Sequence, residues 1–392
     1  MNIIQIKEGR TILFVPNFKE YERKGTYVPS QAKVFYNPKM EFCRDIGVLF
    51  LREFSKIINQ EIIICDPLAG VGSRGIRYAN EVKGVKKSIV NDINKDAIPI
   101  IIQNIKINNL EGIVEVECKD ANLLLIEYAK TKSRFNFIDL DPFGSPIPFI
   151  TSAIKALKNH GVIAITATDT PALCGIYPKA CLRKYGALSI KTDFCHEVGL
   201  RVLLSSLVYA AIKEDFGIEV LLSYSTDYYF RAYVQFHLGA KKADNSVSML
   251  GYISYCKNCL WREVFSLYDK LKYTCPFCSK DTYIIGPIWC GPIIKKELVL
   301  SLIKEDLSDF NTRKRIEKLL NLLLDEYDMP IYYYLVDDIA SKLKVSTPSV
   351  QIIIEKLKEL GYKASRTHFN PKGIKSNAPY DIITNVIKKL GK

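Results

Sequence analysis

In the stretch 136–146, NFIDLDPFGSP, an apolar run ends in an acid, a proline, an aromatic ring and a glycine. Asp139 and Asp141 lie two apart and share one face of an extended strand, but Asp141 stands at its tip. Pro142 keeps the preceding residue extended, which aims Asp141 out of the strand. Phe143 follows beside it, and Gly144 lets the chain turn away. A carboxylate next to a flat ring suits the exocyclic amine of a purine. Such an amine is a poor nucleophile because its lone pair is delocalised into the ring. A carboxylate accepting its N–H favours a more tetrahedral nitrogen and takes up the proton lost after attack. The aromatic face fixes the plane of the base. The competing reading is structural, with Asp141 capping a helix and Phe143 in the core.

A second constellation precedes it. In DPLAGVGSRG, Gly70, Gly72 and Gly75 spell G-x-G-x-x-G, and Asp92 lies twenty residues beyond Gly72. By the letter of the motif this is a dinucleotide loop with an acid placed for a ribose. Here, however, the strand ends in Asp66-Pro67 and the glycines come four residues later. That spacing suits S-adenosylmethionine, which has no phosphate to cradle but carries an ammonium, a carboxylate and a ribose diol. Asp92 would accept the ribose hydroxyls, and Asp120 in CKDANLL would reach the adenine edge. Each acid alone is also an ordinary helix cap.

The third is metallic. Cys256, Cys259, Cys275 and Cys278 read C-x2-C-x15-C-x2-C, which supplies four thiolates to a zinc ion with no position left open for chemistry. The zinc is therefore structural. Eleven cysteines are too sparse for a disulfide scaffold in 392 residues. Cys65 and Cys118 read as core, and Cys290 lacks a paired neighbour.

The elements that position these groups follow from the pattern around them. Continuous β-branched runs at 61–66, 88–92, 113–118, 135–141 and 161–169 alternate with helical stretches. This predicts a doubly wound α/β sheet of Rossmann-like type, parallel and covered on both faces. GIEVLLSYS and YYFRAYVQFHL read as a hairpin adding an antiparallel strand. The expected division is a 1–60 extension reaching the active site, a 61–240 catalytic domain, and a 241–392 α+β domain. The last contains the zinc-ribbon-like loop (256–278) and a winged-helix-like end from about 310.

Fifty-five Lys and Arg against 42 Asp and Glu give a net charge of +13, which points to a polyanionic partner. The tail from Gly361 has seven Lys and Arg against one acid. In it Lys363, Arg366, Lys372 and Lys375 interleave with His368, Phe369 and Tyr380, as an RNA-backbone contact would. Lys179, Arg183 and Lys184 form a second candidate phosphate contact. A solvated basic face is the plain alternative for both. No run approaches the ~20 apolar residues of a membrane span. The opening MNIIQIKEGRTILFVP carries no export pattern, so a cytoplasmic monomer without a membrane partner is expected.

The motifs VFYNPKM, CRDI, DPLAGVGSRGIR, DLDPFGSP, TATDTPALCG, PKACLRKY and CHEVGLR together resemble the tRNA (guanine-N2-)-dimethyltransferase family, from near the N-terminus to the basic tail. The resemblance implies a class I methyltransferase that uses S-adenosylmethionine to methylate the exocyclic nitrogen of guanine 26 of tRNA once or twice. It implies that Arg44, Arg74, Asp92, Asp120 and Ala121 contact the cofactor beside Asp66, Gly70 and Gly72. Asp141 falls on the catalytic aspartate. Phe35 and Phe143 fall on aromatics that hold the guanine, as two halves of a clamp with Pro142 alongside. The loop Leu68-Ala69-Gly70-Val71-Gly72-Ser73 departs from the family's usual run, which is rich in Ser, Ala and Thr with one glycine. An NAD-dependent oxidoreductase would leave DPFG without a role, and a non-catalytic RNA-binding module would not need an intact Asp141.

Overall fold

A computed structural model describes residues 2–23, 26–27, 31–58, 60–131 and 133–391. The chain opens with the hairpin β1 (Ile3–Glu8) and β2 (Thr11–Pro16), a short pair β3 (Glu22–Arg23) and β4 (Thr26–Tyr27), and helix α1 (Glu41–Ile58). Five strands then alternate with helices: β5 (Ile62–Asp66), α2 (Ser73–Glu81), β6 (Val85–Asn91), α3 (Ala97–Ile107), β7 (Val114–Glu117), α4 (Ala121–Ala129), β8 (Phe135–Leu140), α5 (Ile147–Ala156) and β9 (Leu157–Ala167). After α6 (Thr170–Leu173), α7 (Pro178–Tyr185) and α8 (Cys195–Ala211), the strands β10 (Phe216–Thr226) and β11 (Tyr229–Leu238) complete the main sheet.

Its order is β10-β11-β9-β8-β5-β6-β7. The strands from β5 to β9 pair in parallel, as their two-sided burial requires, and the hairpin contributes both of its strands antiparallel. Strand order reverses between β5 and β8, so the crevice at their carboxyl ends is the place where such a sheet holds ligands. β6 starts at Val85, ahead of the apolar run, because Lys86 and Lys87 lie along it with Glu61 and Glu115 as ion-pair partners at 2.5 and 2.6 Å.

The N-terminal hairpin is locked down by buried charge. Glu8 accepts from Arg44 Nε at 2.7 Å and from Arg77 Nη1 at 3.3 Å, and Arg77 pairs with Glu81 at 2.8 Å. Burial alone would raise the Glu8 pKa, but the two guanidiniums hold it down to about 2. α8 continues to Glu214 as the one described helix with the length and hydropathy of a membrane span. Most of its apolar window, 72%, is buried, so it is a core helix of the sheet's outer layer.

The rest is α9 (Ala240–Ser248), the sheet β12 (Leu250–Tyr255), β13 (Arg262–Ser266) and β14 (Tyr283–Trp289), then α10 (Lys296–Lys304) and α11 (Arg313–Asp325). A final unit combines β15 (Tyr334–Leu335), α12 (Val336–Leu343), α13 (Val350–Glu359), β16 (Ala364–Arg366), β17 (Gly373–Ser376) and α14 (Tyr380–Leu390). Its sheet order β15-β17-β16 is that of a winged helix. One hydrophobic cluster runs without a break from Met40 to Ile387.

Candidate active site

All six residues of β8 are buried, so Asp139 is a charge inside the sheet. It is stable there because its partners converge: Arg231 donates to both oxygens at 2.8 and 2.7 Å, and the Tyr78 hydroxyl donates at 2.6 Å. Burial raises the Asp139 pKa, but the Arg231 and Arg74 guanidiniums outweigh it and leave the carboxyl below its ordinary value. Asp141, just past the strand end, is bound differently. Its Oδ2 takes both bonds from Arg74, with Nε at 2.9 Å and Nη2 at 2.6 Å. Among the described residues no donor reaches its Oδ1. Burial works against the charge of Arg74, and Asp141 more than compensates, raising its pKa well above the usual value.

The turn after Asp141 is pinned from the neighbouring strand. The Gly144 N–H donates to Thr168 Oγ1 at 2.8 Å, and the Gly144 carbonyl accepts from the Thr168 N–H at 2.9 Å. Gly144 has φ 74°, a left-handed conformation that favours glycine. Pro142 and Phe143 are thereby held at the rim of the crevice, with Phe143 67% exposed.

The glycine loop closes the other side. Gly70 has φ 56°, and a Cβ there would stand 2.5 Å from the carbonyl oxygen of Phe35, so the loop crosses that segment backbone to backbone. Gly72, also left-handed, is the N-cap of α2. Asp66 accepts the Gly75 N–H at 3.0 Å; burial, with Asp139 nearby, pushes its carboxyl up to about 8. Asp92 accepts the N–H groups of Gly70 at 2.7 Å and Asn94 at 2.9 Å, and burial raises its pKa. Asp120 caps α4, one oxygen taking the N–H groups of Asn122 and Leu123 at 2.9 and 3.1 Å. Ala121 is the buried first residue of that helix. Arg44 is buried in the Glu8 network and also donates to the Asn37 carbonyl at 3.2 and 3.1 Å.

Between these elements opens a cavity of about 670 Å³, walled by Asp141, Pro142, Phe143, Phe35, Gly70 and Asp92 among others. A lobe of about 300 Å³ shares Phe35, Gly70, Asp92 and Phe143 with it. The Phe35 and Phe143 rings touch edge to face, centroids 4.5 Å apart and planes at 78°. In this arrangement no base fits between them, so they form one platform and not the two jaws of a clamp. Carboxylates at Asp92 and Asp141 with apolar walls from Leu68, Ile93 and Phe149 fit a cationic ligand that carries a diol, as S-adenosylmethionine is.

Sequence reasoning missed Asn37, Thr168 and Tyr228, which also line the cavity. Asn37 Nδ2 donates to the Tyr228 hydroxyl at 2.7 Å. Thr168 was detectable, since it follows β9 at the carboxyl edge of the sheet. Tyr228 sits in a hairpin turn with no local signal.

The four cysteines meet as expected from their spacing, all four Sγ atoms lying within 4.8 Å of one another. A tetrahedral zinc with bonds of about 2.3 Å has sulfur–sulfur edges of about 3.8 Å, so the thiols fit that ion. Cys256–Cys278 and Cys259–Cys275 already stand at 3.5 Å. Leu260 and Ser279, each directly after a knuckle, take φ 69° and 55° to turn the chain under the site.

The basic candidates divide. Lys179, Arg183 and Lys184 are exposed on α7, Lys184 pairing with Asp169 at 3.2 Å. Lys363, Arg366 and Lys372 are exposed in the C-terminal unit, with Lys363 3.7 Å from Asp328 and Lys372 2.5 Å from Asp337. Lys375 is a correction. It is 1% exposed and bound to Glu197 at 2.7 Å, with Glu326 at 3.6 Å, because β17 turns it inward where α8 and the end of α11 supply acids. It cannot reach a phosphate. Phe369 is buried and His368 is bound to Glu326, so neither offers a stacking face to RNA.

A family model described as N2,N2-dimethylguanosine tRNA methyltransferase matches residues 12–388. The tRNA (guanine(26)-N(2))-dimethyltransferase of Methanobrevibacter smithii is 39% identical over 387 residues, covering 98% of this chain and 97% of the relative. That of Sulfurisphaera tokodaii is 39% identical over 391 residues, covering 99% and 100%. Among solved structures, Trm1 from Pyrococcus horikoshii in complex with S-adenosyl-L-methionine is 35% identical. It superposes with a TM-score of 0.86 over 98% of this chain and 99% of that one. With a sheet of this order, an acid and an aromatic platform at its crevice, and similarity along nearly its whole length, the chain belongs to the N2,N2-dimethylguanosine tRNA methyltransferase family.

Proposed function

We propose that this chain transfers one or two methyl groups from S-adenosylmethionine to the exocyclic N2 of guanine 26 in tRNA, the reaction named for its relatives. The observation that carries the reading is the free Oδ1 of Asp141 in a cavity that also presents Asp92 and the Phe35–Phe143 platform. S-adenosylmethionine, when bound, supplies an electrophilic methyl group on a sulfonium.

Asp92, on the Gly70 loop, accepts the ribose hydroxyls; Asp66 and Gly72 brace that loop from behind, and Asp120 and Ala121 open α4 outside the residues that line the cavity. Arg74 fixes the plane of the Asp141 carboxylate by holding one oxygen with two bonds. The other oxygen accepts an N–H of the guanine amine and takes the proton that leaves when nitrogen attacks. Phe143 supports the face of the base, with Pro142 keeping the turn stiff. The guanine must first be turned out of its stack in the tRNA fold. With this reading goes a division of labour: residues 1–60 wall the active site through Phe35, Asn37 and Met40, residues 61–240 hold the cofactor, and residues 241–392 with α7 receive the RNA.

The test is transfer of labelled methyl to an unmodified tRNA transcript and to the same transcript carrying adenosine at position 26. Incorporation into the first and background in the second is expected. Undiminished incorporation into the second would show that the target base is wrong.

A further inference from the structure

Cys174, Cys195 and His196 belong neither to the proposed active site nor to the four-cysteine centre. Their donor atoms, two Sγ and one imidazole nitrogen, nevertheless all lie within 4.8 Å of one another, with Cys174 buried and the other two half-buried. The three come from two elements. Cys174 is the C-cap of α6, and Cys195 and His196 open the first turn of α8.

The backbone holds these elements together independently of the thiols. Gly175, next to Cys174, has φ 75°, and a Cβ on it would stand 2.1 Å from the carbonyl carbon of Ile190. The chain leaving α6 therefore runs directly against the segment that leads into α8. One turn into α8, a Cβ on Gly199 would stand 2.7 Å from the Phe230 ring and 3.3 Å from Leu173 Cβ. Ser189 Oγ adds a bond to the Leu173 carbonyl at 2.8 Å. Two close approaches at glycines and one hydrogen bond thus bracket the cluster, so little rearrangement is needed for its donors to share an ion.

We propose that Cys174, Cys195 and His196 form a second metal site, for a zinc-class cation, distinct from the four-cysteine centre. Two thiolates and an imidazole are the donor set such ions take. Three protein ligands leave one position of a tetrahedron to water. The ion ties the segment that leaves β9, six residues after Thr168 of the cavity, to the long core helix α8. It thereby steadies α7 with Lys179 and Arg183.

Metal counting tests this on the full chain. The protein is loaded with zinc chloride, desalted, and its zinc measured by mass spectrometry per mole of chain. Two zinc ions are expected in the wild type and one in Cys174→Ser and in His196→Asn. A wild-type content of one, or a content of two that neither substitution lowers, would overturn the proposal. Cobalt titration of the metal-free wild type decides it without a variant. The site predicts a second equivalent whose thiolate-to-metal absorption is about half that of the four-thiolate centre, since it has two sulfur ligands and not four. Saturation after one equivalent refutes it.

Discussion

The substitution Asp141→Asn separates the proposed chemistry of this residue from its structural bond. The carboxylate uses one oxygen for two bonds from Arg74 and leaves the other without a donor among the described residues. In the asparagine variant the single amide oxygen must stay with Arg74, because turning the amide would set its NH2 against the guanidinium's own donors. The NH2 group then faces the cavity and meets the N–H of the incoming amine donor to donor. The variant thus loses the proton acceptor and gains a repulsion, while volume, the Arg74 contact and the turn pinned to Thr168 are kept. Positioned acid–base groups contribute about 10²- to 10⁴-fold, which is about 2.7–5.4 kcal/mol of barrier. Single-turnover transfer of labelled methyl to saturating tRNA should therefore slow by at least about a hundredfold. S-adenosylmethionine affinity, measured by calorimetry, should change by less than about threefold. A variant that keeps a tenth or more of the rate would refute the role of Asp141. Parallel loss of rate and cofactor affinity would make it a structural residue.

Phe143→Ala removes an exposed ring whose one described aromatic contact is Phe35. At about 1–3 kcal/mol per stacked base, kcat/KM for tRNA should fall about 5- to 150-fold with cofactor affinity unchanged; equal weakening of both would count against a base platform. Lys375→Met removes the cation that Glu197 and Glu326 share, but Glu197 keeps Arg201 at 2.9 Å and Glu326 keeps His368, so the cost falls below the about 3–5 kcal/mol of a buried charge left alone. Its melting temperature should drop while the salt dependence of tRNA binding stays put, whereas Arg183→Ser should lower that slope by about one. The reverse pattern would restore Lys375 as an RNA contact. Asp66→Asn tests a pH effect with a defined sign. The folded-state pKa of Asp66 lies at about 8 against an ordinary 3.8, so its contribution to stability is complete below about 3.8 and is lost as pH rises towards 8. In cofactor-free protein the melting temperature of the asparagine variant should gain on the wild type between pH 4 and 8 and then level off. A difference flat across that range would mean that Asp66 is ionised throughout.

The parallel strands were legible because each is a continuous β-branched run, and the zinc centre because its four ligands come as two local pairs. The place of Asp141 at the strand tip was legible because Pro142 is adjacent to it. What stayed hidden depends on contacts distant in sequence. Nothing near Asp139 announces Arg231, which is 92 residues away and arrives only because β11 pairs with β9. The hairpin was readable as a hairpin, but its insertion beside β9 is a property of the whole sheet. Lys375 was misread for the same reason. A lysine in a basic tail looks solvated until Glu197, 178 residues earlier, is found beneath it.

The charges at the crevice explain why two acids so close in sequence behave differently. Asp66, Asp139 and Asp141 all lie near Arg74, and Arg231 is the second buried cation that serves them. Three carboxylates cannot all be ionised beside two guanidiniums in a buried site without a net charge, which is costly away from water. Burial resolves this by keeping Asp66 protonated through neutral pH. Asp139 then balances Arg231, and Arg74 is left to Asp141. Because Asp139 already takes both Nη groups of Arg231, Arg74 can hold Asp141 by a single oxygen and leave the other for the substrate. In the proposed reaction the buried acid at 139 acts only through the arginines. Removing it would leave Arg231 buried without its carboxylate and put an unbalanced guanidinium near Arg74, which holds Asp141.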